Sequence, residues 1–146
     1  MTVTAYWFGK SLEQAFSNNL DVSGCTLKMA LISSCYVPAQ SHDYWDDVSA
    51  CEISGSGYSA SGAELGAASV VYASATGIIE ITAGSAVWTD ATITARYGII
   101  YIPTGSPANS PLLGYQDFGE DKSSAAGTFS VTPSASGWFR ITATLP

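Results

Sequence analysis

Apolar and polar residues alternate most regularly at residues 92–102, a proline-free run TITARYGIIYI rich in β-branched and aromatic side chains that suit a pleated, half-buried surface. Successive strand side chains point to opposite faces, so Ile93, Ala95, Tyr97, Ile99 and Tyr101 share one face, and Thr92, Thr94, Arg96, Gly98, Ile100 and Ile102 the other. At about 3.3 Å per residue the run reaches roughly 36 Å, enough to cross a small domain. Both faces turn apolar after Gly98, which predicts a central strand covered on two sides. Arg96 sits in the middle of it, and a shielded cation needs a partner because an unpaired buried charge costs several kcal/mol. Asp117 is the expected partner and Asp90 the second choice, since residues 111–118 can return antiparallel after the proline-marked loop 103–111.

Upstream the period changes. Leu12, Ala15, Phe16 and Leu20 recur at helical spacing and form one apolar stripe. Ser11 with Gln14 three residues on makes a capping-box start, and Asn18 and Asn19 end the helix. So short a helix needs a sheet to pack on. Residues 26–33 (TLKMALIS) form the next strand, with Leu27, Met29 and Leu31 on one face. From Ala63 onward, strands are expected at 67–72, 78–82, 86–88, 92–102, 111–118, 128–132 and 138–144, with a turn at 88–90 and a polar, mobile segment at 120–127. Their spacing predicts an all-β fold, an antiparallel β-sandwich of about eight to nine strands with one short N-terminal amphipathic helix. Residues 1–9, with Tyr6, Trp7 and Phe8, read as an N-terminal docking segment, and residues 10–146 as a single β-sandwich domain.

Charge changes this picture. Charged residues make up 12% of the chain, about half the usual share, so small polar residues or neighbouring copies must cover the surface. A net charge of −7 without a basic stripe argues against nucleic acid and anionic lipid as partners. No apolar run is long enough to span a membrane, and the start lacks the basic and apolar regions of a signal peptide.

The candidate chemistry is thin. Cys25, Cys35 and Cys51 are odd in number and lack a C-x-x-C pair, which fits free thiols in a reducing compartment. With His42 they could supply four zinc ligands, but at spacings that match no common knuckle, so they read as small buried hydrophobes. Residues 35–50 form a long loop in which His42 lies beside Asp43, Asp46 and Asp47. Calcium-loop spacing is missing there, and a solvated loop with Trp45 buried is expected. In residues 51–62, CEISGSGYSASG, neither a phosphate-cradling G-x-G-x-x-G nor a nucleophile-elbow G-x-S-x-G is completed. The glycines there supply positive φ, and Tyr58 anchors the bend. Neither catalysis nor a cofactor or metal is expected.

The short helix, TLKMAL, the Tyr-x-Pro loop ending in a His and acids, EISGSGYSASG, VWTDATITARYGIIY and SPLLGYQDFG together resemble a family of tailed-bacteriophage virion proteins. These are small capsid decoration (cement) or head-associated proteins, and the resemblance covers roughly residues 10–140. It implies a jelly-roll-like sandwich, made in the host cytoplasm and seated on the capsid surface of the virion. Its partners would be the major capsid protein and further copies of itself, as a homodimer or homotrimer. Tyr6, Trp7, Phe8, Tyr44 and Trp45 are then the candidate docking residues. The alternative class is a virion attachment or carbohydrate-binding module, head fibre or tail-associated, using Tyr44, Trp45 and Tyr115 as sugar platforms.

Overall fold

In the computed structural model, which describes residues 3–143, the chain forms two antiparallel sheets packed as a sandwich. In chain order the elements are β1 (Thr4–Trp7), α1 (Gly9–Phe16), β2 (Thr26–Ile32), β3 (Ala63–Ala67), β4 (Ser69–Ala73), β5 (Ile78–Thr82), β6 (Ala86–Tyr101), β7 (Leu112–Val131) and β8 (Phe139–Thr142). One sheet has the order β1-β7-β6-β2-β3, the other β4-β5-β8.

Strand β6 is central, with β7 on one side and β2 on the other. From Gly98 to Ile102 every residue is buried, because the large sheet is covered on both faces. Between the sheets, Ile100 packs with Met29, Leu31, Leu113 and Phe118 against Ile81, Trp138 and Phe139 of the smaller sheet side. On the opposite face Ile99 and Tyr101 pack with Phe8, Ile32, Tyr36, Trp45, Val48, Leu112 and Tyr115.

This second core corrects the expectation of a solvated loop at 35–50. The segment roofs the large sheet, with Tyr36, Trp45 and Val48 all buried and Trp45 stacked on Tyr101 at 4.6 Å between ring centroids. Burying a large apolar side chain contributes about 1.5–3 kcal/mol, enough for three of them to hold a roof down. Cys35 and Cys51 pin its two ends together as a disulfide, with Cα atoms 5.9 Å apart, so they are neither free thiols nor available metal ligands. Cys25 alone is free.

The run after Pro111 is one strand, not two. Strand β7 passes straight through the polar residues 120–127 because the upstream half of β6 pairs with it, Ala91 opposite Gly127, Ile93 opposite Ser124 and Ala95 opposite Lys122. Four register shifts lie along this pairing, and residues of positive φ fall inside three of them: Asp90 (49°), Gly119 (80°) and Ala126 (47°). The expected turn at 88–90 is the first of these bulges, so the chain twists there without leaving the sheet. The strand expected at 67–72 divides into the last residue of β3 and the first four of β4, one in each sheet.

The helix also starts differently. Its N-cap is Phe8, in extended conformation, and the free N–H groups of Gly9 and Lys10 donate to the side chain (2.6 Å) and carbonyl (3.2 Å) of Gln40. Ser11 lies inside the first turn, buried, and its hydroxyl donates to the Leu112 carbonyl, tying the helix to β7. The helix closes at Phe16, and Asn18 takes up positive φ just beyond.

Candidate docking face

The early end of α1 turns its last apolar residues toward the three-stranded sheet without closing onto it. Leu12, Ala15, Phe16, Leu20 and Val22 line one wall of a groove of about 270 Å³, and Val70, Ile79, Ile81 and Ile141 line the other. Ile81 belongs to the core, but Ile79 and Ile141 are only half-buried, and Val70 and Tyr72 are exposed. Tyr72 lies opposite Ile79 in the ladder and Ile79 opposite Ile141, so one apolar row runs across the sheet past the end of the core. Phe16 stands at the rim, 84% exposed. Among the described residues, Asp21 is the one charged side chain in the lining. The helix's ion pair, Lys10 to Glu13 at 2.7 Å, involves neither wall of the groove.

The residues singled out from the sequence lie elsewhere. Phe8 is fully buried with its ring 5.2 Å from Tyr115, so it is part of the second core rather than a docking residue. Trp7 packs on Phe139 at 4.7 Å and donates Nε1–H to the Arg140 carbonyl at 3.4 Å, joining the edges of the two sheets. Tyr6 is 43% exposed and stacks on Tyr115. Residues 1–2 of the proposed docking segment lie outside the described residues. Trp45 and Tyr115 are both buried, so neither offers a ring face to a sugar, and Tyr44 is only partly exposed.

The acidic loop satisfies itself. Asp47 Oδ2 accepts the N–H groups of Asp43 (2.9 Å) and Tyr44 (3.4 Å), and the Asp43 bond is the main reason its carboxyl lies below the usual range. Asp43 is pushed the other way, by desolvation first and then by its neighbour Asp47. His42 Nδ1 is 2.7 Å from the Tyr36 hydroxyl. No group of three or more His, Cys, Asp or Glu among the described residues is placed to hold a metal.

Arg96 Nε donates to Asp117 Oδ1 at 3.0 Å, with the two side chains 29% and 27% exposed. The cation is therefore paired on a half-open surface rather than shielded, because residues 88–96 of β6 project beyond the second core.

No family model matches this chain, and neither a curated protein nor a solved structure matches it.

The groove escaped sequence reading because Phe16 and Leu20 read as a helix stripe buried on a sheet. The signal for it was the uninterrupted Val70-Val71-Tyr72, which cannot place three apolar side chains on one covered face of a strand.

Proposed function

We propose that the protein is a structural component of a tailed-phage virion, a jelly-roll-like module that decorates the capsid and stabilises it by bridging major capsid protein subunits. The observation that carries this reading is the open apolar groove between α1 and the three-stranded sheet, rimmed by Phe16 and continued by Tyr72 and Val70. A contiguous uncovered apolar surface on a small domain marks an interaction site, for a protein, a membrane or a ligand. The sequence resemblance supplies the partner. Contacts of this kind depend on packing more than on salt-sensitive steering, and the low charge of the chain suits them. Binding only the assembled shell shifts its disassembly by mass action, so a contact repeated at many positions needs no individually tight site.

Stripping and re-adding the protein tests this. Decorated particles should resist heat better than stripped ones, and re-addition should restore them even at about 0.5 M salt, where screening is nearly complete beyond a few Å. Phe16→Ser changes a side chain outside the core, so the chain should fold and fail to restore the particles. Stripped particles that survive heating as well as decorated ones would overturn the proposal, and loss of host adsorption instead would favour the attachment class.

A further inference from the structure

The two sheets leave four edge strands, β1, β3, β4 and β8. An open edge presents unpaired backbone groups that template another strand unless something blunts it. Strand β3 carries Glu64, a register shift against β2 and Gly66 at φ +81°, and its Leu65 carbonyl already accepts the Gly84 N–H at 2.6 Å. Strand β8 carries Arg140, whose carbonyl is taken by Trp7 of β1, and β1 itself is only four residues long before α1 begins.

Strand β4 has none of these devices. Ser69–Ala73 reads Ser-Val-Val-Tyr-Ala, without charge, proline or positive φ, and it pairs with β5 in unbroken register from Ser69–Thr82 to Ala73–Ile78. Its first four residues are exposed, Val71 by 51% and Tyr72 by 60%.

We propose that β4 is the interface to a second copy of this chain, pairing antiparallel with the copy's β4 about a twofold axis at Val71 and joining two three-stranded sheets into one of six. In that register Val71 meets its own counterpart, Val70 meets Tyr72 and Ser69 meets Ala73. Aromatic and β-branched residues directly opposite each other are among the favourable cross-strand pairs. A second copy is the occupant because the segment is complementary to itself under this axis. A chain of net charge −7 also meets its copy without like-charge contact where both sides lack charge. Glu80, one strand inside, is already opposite Arg140. With the far edge of the sheet occupied by Trp7, the pairing is isologous and closes at two copies. The row Tyr72–Ile79–Ile141 then continues across the axis to the copy's Val70, so two grooves lie side by side as a bivalent docking surface; that last step rests on the proposed function.

Sedimentation equilibrium of the intact chain at micromolar concentration tests the interface. The wild type should give twice the 15.2 kDa chain mass. Val71→Lys sets two cations against each other across the axis while each stays beside Glu80 of its own sheet, so it should sediment as a single chain, its dissociation constant raised by about a hundredfold or more. As a positive readout independent of that variant, Val71→Cys should form a disulfide-linked dimer in air, which the wild type with its Cys25 should not. A wild type of single-chain mass, or a folded Val71→Lys that remains a dimer, overturns the interface whether or not the chain binds shells. A dimeric wild type that binds no shell keeps the interface and removes the docking reading.

Discussion

The Tyr58 hydroxyl donates to Glu52 Oε1 at 2.7 Å while accepting the backbone N–H of Leu31 at 3.0 Å. The same Glu52 oxygen takes the Ser61 N–H at 2.6 Å, and the Tyr101 hydroxyl donates to the Ser61 carbonyl at 2.7 Å. One carboxylate thus ties two points of the glycine-rich bend together, and the same two residues bond to β2 through the Tyr58 hydroxyl and to β6 through the Ser61 carbonyl. Burial, and then the Glu52 contact, push the Tyr58 hydroxyl's pKa upward, so it stays a donor through the range in which the fold persists. Tyr58→Phe removes the acceptor of the Leu31 N–H and leaves the Glu52 oxygen with the Ser61 N–H alone, and should cost about 1–3 kcal/mol, read as a lower urea midpoint at unchanged slope. An unchanged midpoint would show that water substitutes for the hydroxyl.

Two glycines in the same region separate conformational strain from collision. Gly62 and Gly66 have φ of +82° and +81°, but a Cβ on Gly62 would land on the Met29 carbonyl, whereas one on Gly66 meets nothing. Gly66→Ala should therefore cost about 1–2 kcal/mol, the left-handed penalty alone. Gly62→Ala should cost clearly more, since β2 must move as well. Equal thermal shifts would show that the bend yields freely.

The Arg96–Asp117 pair predicts a pH dependence. Desolvation raises the Asp117 carboxyl, but the Arg96 hydrogen bond, the Gly119 N–H and the Arg96 charge outweigh it and leave the pKa below its ordinary value. A depressed folded-state pKa contributes stability that is complete above the unfolded value of about 3.9 and is lost as the pH falls through the folded one. The stability difference between wild type and Asp117→Asn should be flat above about pH 5 and shrink below about pH 4. Because water reaches both partners, Arg96→Met and Asp117→Asn should each cost on the order of 1 kcal/mol or less. A constant difference down to the acid transition would show that the pair does not matter to folding.

The disulfide is open to direct counting. Thiol titration of the denatured chain should find one free thiol, Cys25, and three after reduction. Closing a loop with a sequence separation of 16 constrains the unfolded chain by about 3 kcal/mol, so Cys35→Ser with Cys51→Ser should lower stability by that order. Three thiols before reduction would show that the roof is held by Tyr36, Trp45 and Val48 alone.

The segment from β1 to the helix N-cap is a folding element. Phe8→Ala empties a fully buried position and should cost about 3–5 kcal/mol, whereas Tyr6→Ala, at a site 43% exposed, should cost about 1 kcal/mol. Near-neutral Phe8→Ala would return this segment to the role of an external docking arm.

The central strand was readable because its composition and its environment agree: β-branched and aromatic residues, apolar on both faces after Gly98, sit where two cores need them. The two-sheet, all-β character follows from the same punctuation. The far half of β7 was not readable, because Glu120, Asp121, Lys122 and the small residues after them have loop composition. What keeps them in the sheet is pairing with residues about 30 positions earlier, aided by hydroxyl contacts such as Thr94 to Ser123 at 2.7 Å. Ser11 followed by Gln14 has the pattern of a cap, yet Gln40 from a distant loop does the capping, a long-range solution that no local window contains. Likewise the pairing of Cys35 with Cys51 depends on a roof folded over the sheet, which an odd cysteine count concealed. The groove was hidden for the reason that creates it, a helix that stops at Phe16 one turn before its stripe does.

The order in which strands leave the ribosome differs from the order in which they find partners. Strand β1 pairs only with β7, and the apolar β2, whose Leu27, Met29, Ala30, Leu31 and Ile32 are all fully buried, has its main neighbour in β6. During synthesis β2 can first meet the roof, the glycine-rich bend and β3, but its main neighbour is missing until Tyr101 has emerged, and β1 waits beyond Asp117. The nascent chain must therefore be kept from its neighbours for most of its synthesis. A circular permutant beginning at Ala86 would put the β6–β7 hairpin first and give every later strand a finished edge to join.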